Sequence, residues 1–218
     1  FVSLALSYVR RRTTGSGKSR IFVASWPAAV TVCTTCTYGA VETSQGGEPG
    51  VKVSVITCTN RPHMIDNVFR NYVRQQWKDK ELIVVLNNDA MDLNAWRKKA
   101  DGIENVTIYR IPEKRSLGYC LNDAVKRAKF PYIAKFDDDD YYGPNFLTRA
   151  MGVFRRHPRV SVVGQKSFYT YFPHYRLLVL RHGKRVAGAT LVFKKTVMEK
   201  VRFSRKRRGT DTSFKRRC

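Results

Sequence analysis

Apolar residues recur with two different periods between residues 51 and 136, and segments of the two kinds alternate along the chain. Four short runs, rich in β-branched residues and bounded by turn formers, have the length and composition of buried strands. These runs are residues 51–58, 81–86, 105–111 and 132–136. Apolar residues at helical spacing predict two helices, one that opens at Pro62 and one over residues 118–129. The alternation indicates an α/β fold with a mostly parallel sheet covered by helices on both faces.

Polar side chains follow three of these strands at the point where each strand ends. The polar clusters are residues 57–61, 87–89 and 137–140. In open α/β sheets, ligands bind outside the carboxyl ends of the strands. Because these ends meet at one edge of a parallel sheet, the pattern predicts a binding site built from the three clusters.

The densest acidic group of the chain stands in the stretch AKFDDDDYYGP, residues 134–144, directly after the fourth predicted strand. Four consecutive carboxylates repel one another, and such a cluster is costly unless a cation lies within it. Mg²⁺ and Mn²⁺ prefer oxygen ligands and typically combine one or two carboxylates with substrate phosphates. The run therefore predicts a divalent-metal site beside a diphosphate. The alternative is a solvated acidic turn.

The acids stand out against a strongly basic background. The formal net charge is +24, from 41 Lys and Arg against 17 Asp and Glu. Residues 149–218 contain 20 Lys or Arg and only two acids, Glu199 and Asp211. Such a balance predicts an anionic partner. Three interpretations stay open for this basic part: attraction of an anionic acceptor or an acidic membrane surface, binding of RNA, or a generally basic solvated surface.

Residues 1–50 differ from the rest of the chain and receive no function. They end in the turn-rich stretch SQGGEPG, residues 44–50, which predicts a linker or a domain boundary. The stretch TTGSGKS, residues 13–19, matches the end of a Walker phosphate loop. Arg12 stands where the first glycine of that loop should be, so a flexible Gly/Ser loop is the favoured interpretation.

The cysteines and the absence of a long apolar run bear on location. Five cysteines at irregular spacing do not indicate a disulfide framework. Cys33 and Cys36 form a lone CxxC pair without a second pair or a nearby histidine, so a zinc site is not expected. No apolar run reaches about 18 residues, the length expected of a membrane span. These features predict a reduced, cytoplasmic protein whose contact with a membrane, if it has one, is peripheral and at the inner face.

Four stretches, in order and spacing, resemble the family-2 glycosyltransferases, which have the GT-A fold. VSVITCTNRP resembles the family's opening strand and nucleotide loop, and ELIVVLNND resembles its second strand. LGYCLNDAVKRAKFPYIAKFDDDDYYGPNFL is similar to its most diagnostic stretch, in which a helix with Gly and Asn precedes a strand and the DxD metal motif. GATLVFKKTVMEKVRFSRKRRGTDTSF is similar to the acceptor-side segment that carries the catalytic base. The resemblance implies a GT-A domain over residues 51–218, with a nucleotide-sugar half at 51–146 and an acceptor half at 147–218.

The resemblance also implies roles for individual residues. Asp211, in TDTSF, matches the catalytic base, and Asp139 matches the direct ligand of Mn²⁺ or Mg²⁺. Asp137 would reach the metal or the ribose, and Asp138 would help to bind the nucleotide. The other positions that match the nucleotide-sugar site are Thr57, Thr59, Asn60, Arg61, Asn87 and Arg115.

Three features depart from the family's pattern. Asn87 stands where an aspartate usually reads the base, and an amide hydrogen-bonds a uracil edge differently from a carboxylate. Thr210 stands where an acid usually precedes the base. The chain stops at Cys218, soon after the base, which leads us to expect an acceptor half that is short or is completed by a partner.

The function implied by the resemblance is that of a metal-dependent hexosyltransferase. It would move a sugar, with inversion, from a nucleoside-diphosphate donor, taken to be UDP-linked, to a hydroxyl of a glycan or lipid-linked acceptor. Such enzymes act in the synthesis of cell-wall and other polysaccharides or glycoconjugates. The alternative is a non-catalytic module that binds RNA or another anionic polymer. RNA is disfavoured because residues 202–217 offer only Phe203 and Phe214 for base stacking.

Overall fold

The structure is a computed structural model that describes residues 51–205 and 210–218 and, as backbone only, residues 21–23 and 30–32. The interpretations given to TTGSGKS, to the Cys33 and Cys36 pair and to the turn-rich stretch 44–50 concern residues outside this described part.

Strands and helices alternate through the first half of the domain, as the hydrophobic pattern predicts. The strands are β1 (Ile21–Val23), β2 (Val30–Val32), β3 (Val53–Thr59), β4 (Lys80–Leu86), β5 (Val106–Arg110), β6 (Tyr132–Lys135), β7 (Val162–Gln165), β8 (Ser167–Phe172), β9 (Leu177–His182) and β10 (Val192–Lys194). The helices are α1 (Ile65–Val73), α2 (Leu93–Ala100), α3 (Leu117–Arg127), α4 (Phe146–Arg156), α5 (Val197–Lys200) and α6 (Thr210–Arg217). Among the helices of the described residues, none is long and apolar enough to cross a membrane.

The main sheet has the strand order β2-β7-β10-β6-β3-β4-β5. Strands β6, β3, β4 and β5 pair in parallel, and Thr59 lies opposite Leu86 where β3 and β4 end. Strand β10 pairs antiparallel with both β6 and β7, so β7 runs in the same direction as the parallel strands. The prediction of a mostly parallel α/β sheet flanked by helices is confirmed. Because β3, β4 and β6 run the same way, the polar clusters that follow them meet at one edge.

The main sheet separates two hydrophobic clusters, and successive residues of a strand belong to opposite clusters. In β4, Leu82, Val84 and Leu86 join the cluster under α1, α2 and α4. Ile83 and Val85 join the cluster under α3 and α6. Parallel strands that are buried on both faces read as continuous apolar runs, which explains why ELIVVL shows no alternation.

A smaller sheet has the order β1-β8-β9, and its strands β8 and β9 are less buried than β3, β4 and β6 of the main sheet. Strands β8 and β9 form an antiparallel hairpin, and Arg176 in its turn adopts the left-handed conformation with φ 47°. Beside the turn, Tyr175 is 79% exposed and Leu177 is 51% exposed. The hairpin therefore presents apolar side chains to its surroundings.

Helix α3 begins one residue before its predicted start. Ser116 caps it, because the Ser116 hydroxyl accepts a hydrogen bond from the backbone N–H of Tyr119 at 3.3 Å. The helix ends at Arg127, two residues before the predicted end. The cap fixes the position of the first turn of α3, which borders the site described next.

Candidate functional site

A pocket of about 320 Å³ opens at the carboxyl edge of the main sheet. Its walls include residues 58–61 at the end of β3, Asn87 after β4 and residues 137–139 after β6. Lys135 and Asp211 complete the polar part of the lining. The structure thus brings together the three polar clusters that were predicted to meet, and it adds an aspartate from the C-terminal helix α6.

Arg61 holds two of the aspartates in place. A residue before proline is biased towards extended backbone, and Arg61, before Pro62, has φ −117° and ψ 100°. Its guanidinium contacts both oxygens of Asp138, with Nε 3.0 Å from Oδ2, and its Nη1 lies 3.0 Å from Oδ2 of Asp139. The hydroxyl of Thr59 donates to the same Asp138 oxygen at 2.5 Å. Since a bidentate pair fixes orientation as well as charge, Asp138 is locked in place.

The backbone of the aspartate turn is held from below by amides of helix α1. The side chain of Asn67 donates to the carbonyl oxygens of Asp138 and Asp140, each at 2.8 Å. The side chain of Asn71 donates to the Asp140 carbonyl at 2.7 Å and accepts from the N–H of Tyr142 at 3.1 Å. Sequence reasoning missed both asparagines; the available signal was a pair of amides at i and i+4 on the helix face that packs under the sheet edge.

Tyr142 ties the same turn to the segment that precedes β10. Its hydroxyl accepts from the N–H of Asp137 at 2.8 Å and donates to the carbonyl oxygen of Ala189 at 2.7 Å. Its ring stacks on Phe136, with centroids 3.8 Å apart. The backbone of the turn is therefore anchored by side chains on both sides, which suits a site that must present carboxylates in a fixed geometry.

Lys135, the last residue of β6, is a buried lysine with 1% of its surface exposed. Its ammonium lies 2.6 Å from Oδ1 of Asp137, 3.1 Å from Oδ2 of Asp211 and 3.5 Å from the carbonyl oxygen of Gly188. Burial alone would lower the pKa of the ammonium, but the two carboxylates outweigh it and raise the pKa of Lys135 above its usual value. Lys135 is therefore charged, and it joins the aspartate turn to Asp211.

Asp211 reaches the pocket because α6 is anchored by an aromatic cluster. Phe214, one turn further along α6, is fully buried and stacks on Phe203 with centroids 4.3 Å apart. Its ring also lies 5.1 Å from that of Phe193 on β10. Gly188 permits the approach, because a Cβ at that position would lie 2.3 Å from Oδ2 of Asp211. Phe203 and Phe214 are buried anchors, so neither is available to stack on a nucleic-acid base.

Helix α3 holds the segment that leads to α6. The side chain of Asn122 accepts from the N–H of Phe203 and donates to its carbonyl oxygen, both at 2.9 Å. One turn earlier, Gly118 lies so close that a Cβ there would stand 1.8 Å from the carbonyl oxygen of Ser204. Positions i and i+4 lie on one face of a helix. The Gly and Asn of the diagnostic stretch therefore have a physical task, which is to dock residues 203–204 beside the pocket.

The sequence comparison decides the family. The sequence profile described as Glycosyl transferase family 2 matches residues 54–211 of the chain, from β3 to Asp211. The chain belongs to glycosyl transferase family 2. The resemblance found from the motifs is thereby confirmed. The matched range begins at the opening strand and ends at the residue that the motif comparison places at the family's catalytic base.

Solved glycosyltransferase structures share the fold of this family member. The crystal structure of S. aureus TarS 1–349 superposes with a TM-score of 0.60 at 16% identity, covering 76% of this chain and 54% of that one. The same TarS fragment in complex with UDP-GlcNAc gives a TM-score of 0.59 at 17% identity, covering 76% and 52%. A third structure is the mannosyltransferase PcManGT from Pyrobaculum calidifontis in complex with GDP-Man and Mn²⁺. It superposes with a TM-score of 0.54 at 21% identity, covering 74% of this chain and 50% of that one. The chain spans about half the length of these proteins, and no curated protein sequence matches it.

The remaining positions that match the family's nucleotide-sugar site are placed as follows. Asn60 and Asn87 line the pocket, and the Asn87 amide donates to the carbonyl oxygen of Pro112 at 2.9 Å. Thr57 is buried within β3, 2% exposed, and is not part of the lining. Arg115 is exposed outside the lining, with its guanidinium 4.7 Å from the centre of the Tyr119 ring. The structure thus brings Asn60 and Asn87 to the pocket but not Thr57 or Arg115.

The carboxylates of the pocket fit a divalent ion of the kind common in this family. Among the described residues, no group of three or more His, Cys, Asp or Glu side chains is arranged to hold a metal by itself. Mg²⁺ and similar ions, however, use few carboxylates and complete their shell with phosphate oxygens and water. Asp137 and Asp139 line the pocket, and each has one oxygen in an ion pair, with Lys135 and Arg61 respectively. Within the described residues, the other oxygen of each carboxylate has no ion-pair partner and is available for a cation.

Proposed function

We propose that this chain transfers a sugar from a nucleoside-diphosphate donor to an acceptor hydroxyl. One observation carries the proposal: Asp211, from the far end of the sequence, lines the same pocket as the aspartate turn after β6. The aspartate turn is suited to bind the donor's diphosphate through a metal ion. Asp211 is suited to accept a proton from the acceptor. A pocket that holds both within one cleft has the parts that glycosyl transfer requires.

The donor is proposed to be a UDP-sugar. The fold shared with TarS, whose structure is known in complex with UDP-GlcNAc, supports a nucleotide-sugar site in this pocket. Asn60 and Asn87 supply amide groups at the pocket wall, where a uracil edge offers both hydrogen-bond donors and acceptors. PcManGT, of similar fold, is known with GDP-Man, so a guanine nucleotide is the competitor to test first.

The residues of the chain have distinct tasks in the reaction. Asp211 accepts the proton of the acceptor hydroxyl as the acceptor oxygen forms a bond to the anomeric carbon. The bond between that carbon and the diphosphate oxygen breaks, and its electron pair leaves with the nucleoside diphosphate. A single displacement of this kind inverts the anomeric configuration. Arg61 and Lys135 keep the surrounding carboxylates oriented while charge moves.

Asp139, with Asp137, would hold Mn²⁺ or Mg²⁺. When bound there, the ion supplies positive charge that stabilises the departing diphosphate. Arg61 pairs with Asp139 at 3.0 Å, so its positive charge lies beside the carboxylate that would hold the ion.

The acceptor is proposed to be an anionic glycan or a lipid-linked glycan, as in the synthesis of surface polysaccharides and glycoconjugates. The segment 202–217 carries eight Lys or Arg around Asp211, where an acceptor must enter to meet its base. We expect replacement of Arg205, Lys206, Arg207 and Arg208 by Ser to raise the acceptor KM and leave donor affinity unchanged. Added salt should mimic the replacement, because exposed charges are screened over about 8–10 Å at physiological ionic strength.

Peripheral contact with an anionic membrane at the cytoplasmic face is proposed for the β8–β9 hairpin. Tyr175 and Leu177 are exposed beside Arg176, a combination of apolar and basic side chains that suits the surface of an acidic bilayer. Cys58 and Cys120 form no disulfide in the described part of the chain, in keeping with a reducing compartment. Co-sedimentation with anionic vesicles, lost in Tyr175→Ser/Leu177→Ser and absent with neutral vesicles, is the expected result.

The test of the proposed function is a screen of nucleotide sugars for metal-dependent release of free nucleotide. The chain is incubated with UDP-, GDP- and dTDP-linked hexoses, with Mn²⁺ or with chelator, and with a panel of glycan acceptors. Release that depends on Mn²⁺ and on one donor class is expected. Binding of UDP without turnover of any donor would instead favour a non-catalytic binding module.

A further inference from the structure

The packing of β6 does not explain why a charged residue, Lys135, stands at its end. The two residues before it in β6, Ile133 and Ala134, are fully buried and apolar. A buried ammonium is costly unless its partners satisfy it completely. Here its three N–H groups have three acceptors, namely two carboxylates and the Gly188 carbonyl. The positive charge is therefore explained by the two carboxylates, Asp137 of the aspartate turn and Asp211 of α6.

The second observation concerns how Asp211 is held. Among the described residues, Lys135 is the only hydrogen-bond donor to the Asp211 carboxylate, and the other oxygen, Oδ1, has no hydrogen-bond partner there. Phe214 fixes the helix that carries Asp211, but it does not fix the rotation of the carboxylate. Gly188 leaves room for the contact and donates nothing to it. The orientation of this carboxylate thus depends on Lys135.

We propose that Lys135 is a positioning residue for the transfer reaction: it fixes the Asp211 carboxylate against the aspartate turn, so that base and donor site are aligned by one buried ammonium. This inference rests on the proposed function. Lys135 does not itself take the proton, because its amine is already protonated and an ammonium has no lone pair.

The experiment is a double-mutant cycle on kcat and KM. Lys135→Met removes the charge with little change in length, and Asp211→Asn removes the base. Lys135→Met is expected to lower kcat roughly 100-fold, as misplacement of a reacting group by about 1 Å does, with the donor KM changed less than about threefold. In the Asp211→Asn background the same replacement should lower kcat less than about threefold, because residues that act as a unit are not additive. Equal losses in both backgrounds would overturn the proposal.

The matched control is Lys80→Met. Lys80 is a half-buried lysine on a strand of the same sheet, and its ammonium contacts no carboxylate among the described residues: it donates to the backbone carbonyls of Gln75 and Trp77, at 3.0 and 2.8 Å, and lies 5.2 Å from the centre of the Tyr72 ring. It lies at the amino end of β4, the opposite edge from the pocket. Loss of a lysine from this sheet should therefore lower stability in this variant without changing kcat per folded molecule.

A second variant covers the case in which Lys135→Met does not fold. Gly188→Ala places a Cβ 2.3 Å from Oδ2 of Asp211, which must push the carboxylate away from Lys135 while both charges stay. We expect kcat to fall at least tenfold with donor affinity unchanged. Wild-type kcat in this variant would overturn the proposal.

A separate measurement distinguishes failure of this inference from failure of the proposed function. The same cycle is run on unfolding equilibria in denaturant, which requires no turnover. A coupling of at least tenfold in the unfolding constant between Lys135→Met and Asp211→Asn is expected. Coupling without turnover of any donor would refute the proposed function and leave the contact intact. Absence of coupling would refute the positioning role, whatever the enzyme turns over.

Discussion

Replacing Gly118 by alanine should damage the site from outside the pocket, although alanine is the better helix former. A Cβ at Gly118 would stand 1.8 Å from the carbonyl oxygen of Ser204, 2.7 Å from its carbonyl carbon and 3.3 Å from the backbone nitrogen of Arg205. All three atoms are backbone, so no side chain can rotate away. The segment that leads from Phe203 to α6 must therefore move by more than 1 Å, since real contacts to a Cβ lie beyond about 3.0 Å.

The magnitude follows from two opposing effects. Alanine gains about 1 kcal/mol over glycine in a helix interior. Overpacking typically costs about 1–3 kcal/mol, and a backbone contact this short belongs at the upper end of that range. We therefore expect Gly118→Ala to lower the free energy of unfolding by about 2 kcal/mol. The movement also reaches Asp211 through α6, so kcat should fall roughly 100-fold.

Gly152→Ala is the matched control, because it makes the same replacement in helix α4. The nearest atoms to a Cβ there belong to the end of the flexible Arg156 side chain, at 3.6 Å or more. The free energy of unfolding of this variant should be about 1 kcal/mol higher than that of the wild type, and its activity should be unchanged. Denaturant unfolding gives the two free energies, and initial rates of nucleotide release give the activities. A Gly118→Ala protein that is as stable and active as Gly152→Ala would refute the close approach of α3 to residues 203–205.

Three further predictions concern the base and its supports. Asp211→Asn should lower the transfer rate roughly 10²–10⁴-fold with UDP-sugar affinity nearly unchanged in calorimetry; a rate within threefold of wild type would exclude the role of base. Phe214→Ala should lower the free energy of unfolding by about 3–5 kcal/mol, measured by denaturant titration; a loss below about 1 kcal/mol would contradict its place at the centre of the aromatic cluster. Asn122→Ala leaves the N–H and C=O of Phe203 without their partner and should lower the free energy of unfolding, measured in the same way, by about 2 kcal/mol. A variant as stable as wild type would show that these two hydrogen bonds contribute nothing.

The elements around the pocket could be predicted because their sequences carry strong local signals. Strands such as ELIVVL are continuous apolar runs, and the alternation with helices fixes their common direction. The polar clusters then had to meet at one edge, as they do. Strand β7 and the β8–β9 hairpin were not predicted, since their short segments mix apolar, aromatic and polar residues without a clear period.

The cations that hold the aspartates could not be predicted from local pattern. The DDDD run indicates that positive charge must lie nearby, but not that Arg61 and Lys135 of the same chain provide part of it. Lys135 bonds to Asp211 across 76 positions of sequence. Contacts of this kind depend on how α6 docks, and that docking depends in turn on Asn122, Gly118 and Phe214.

The central claim is that the pocket at the sheet edge binds a nucleoside diphosphate together with a divalent ion through the aspartate turn. Calorimetric titration with UDP tests it most directly, with Mn²⁺ and with chelator, in the wild-type protein and in Asp139→Ala. The account predicts that UDP binds the wild type with Mn²⁺ and that the affinity falls at least tenfold when either Mn²⁺ or the Asp139 carboxylate is removed. Equal affinity under all four conditions would contradict it.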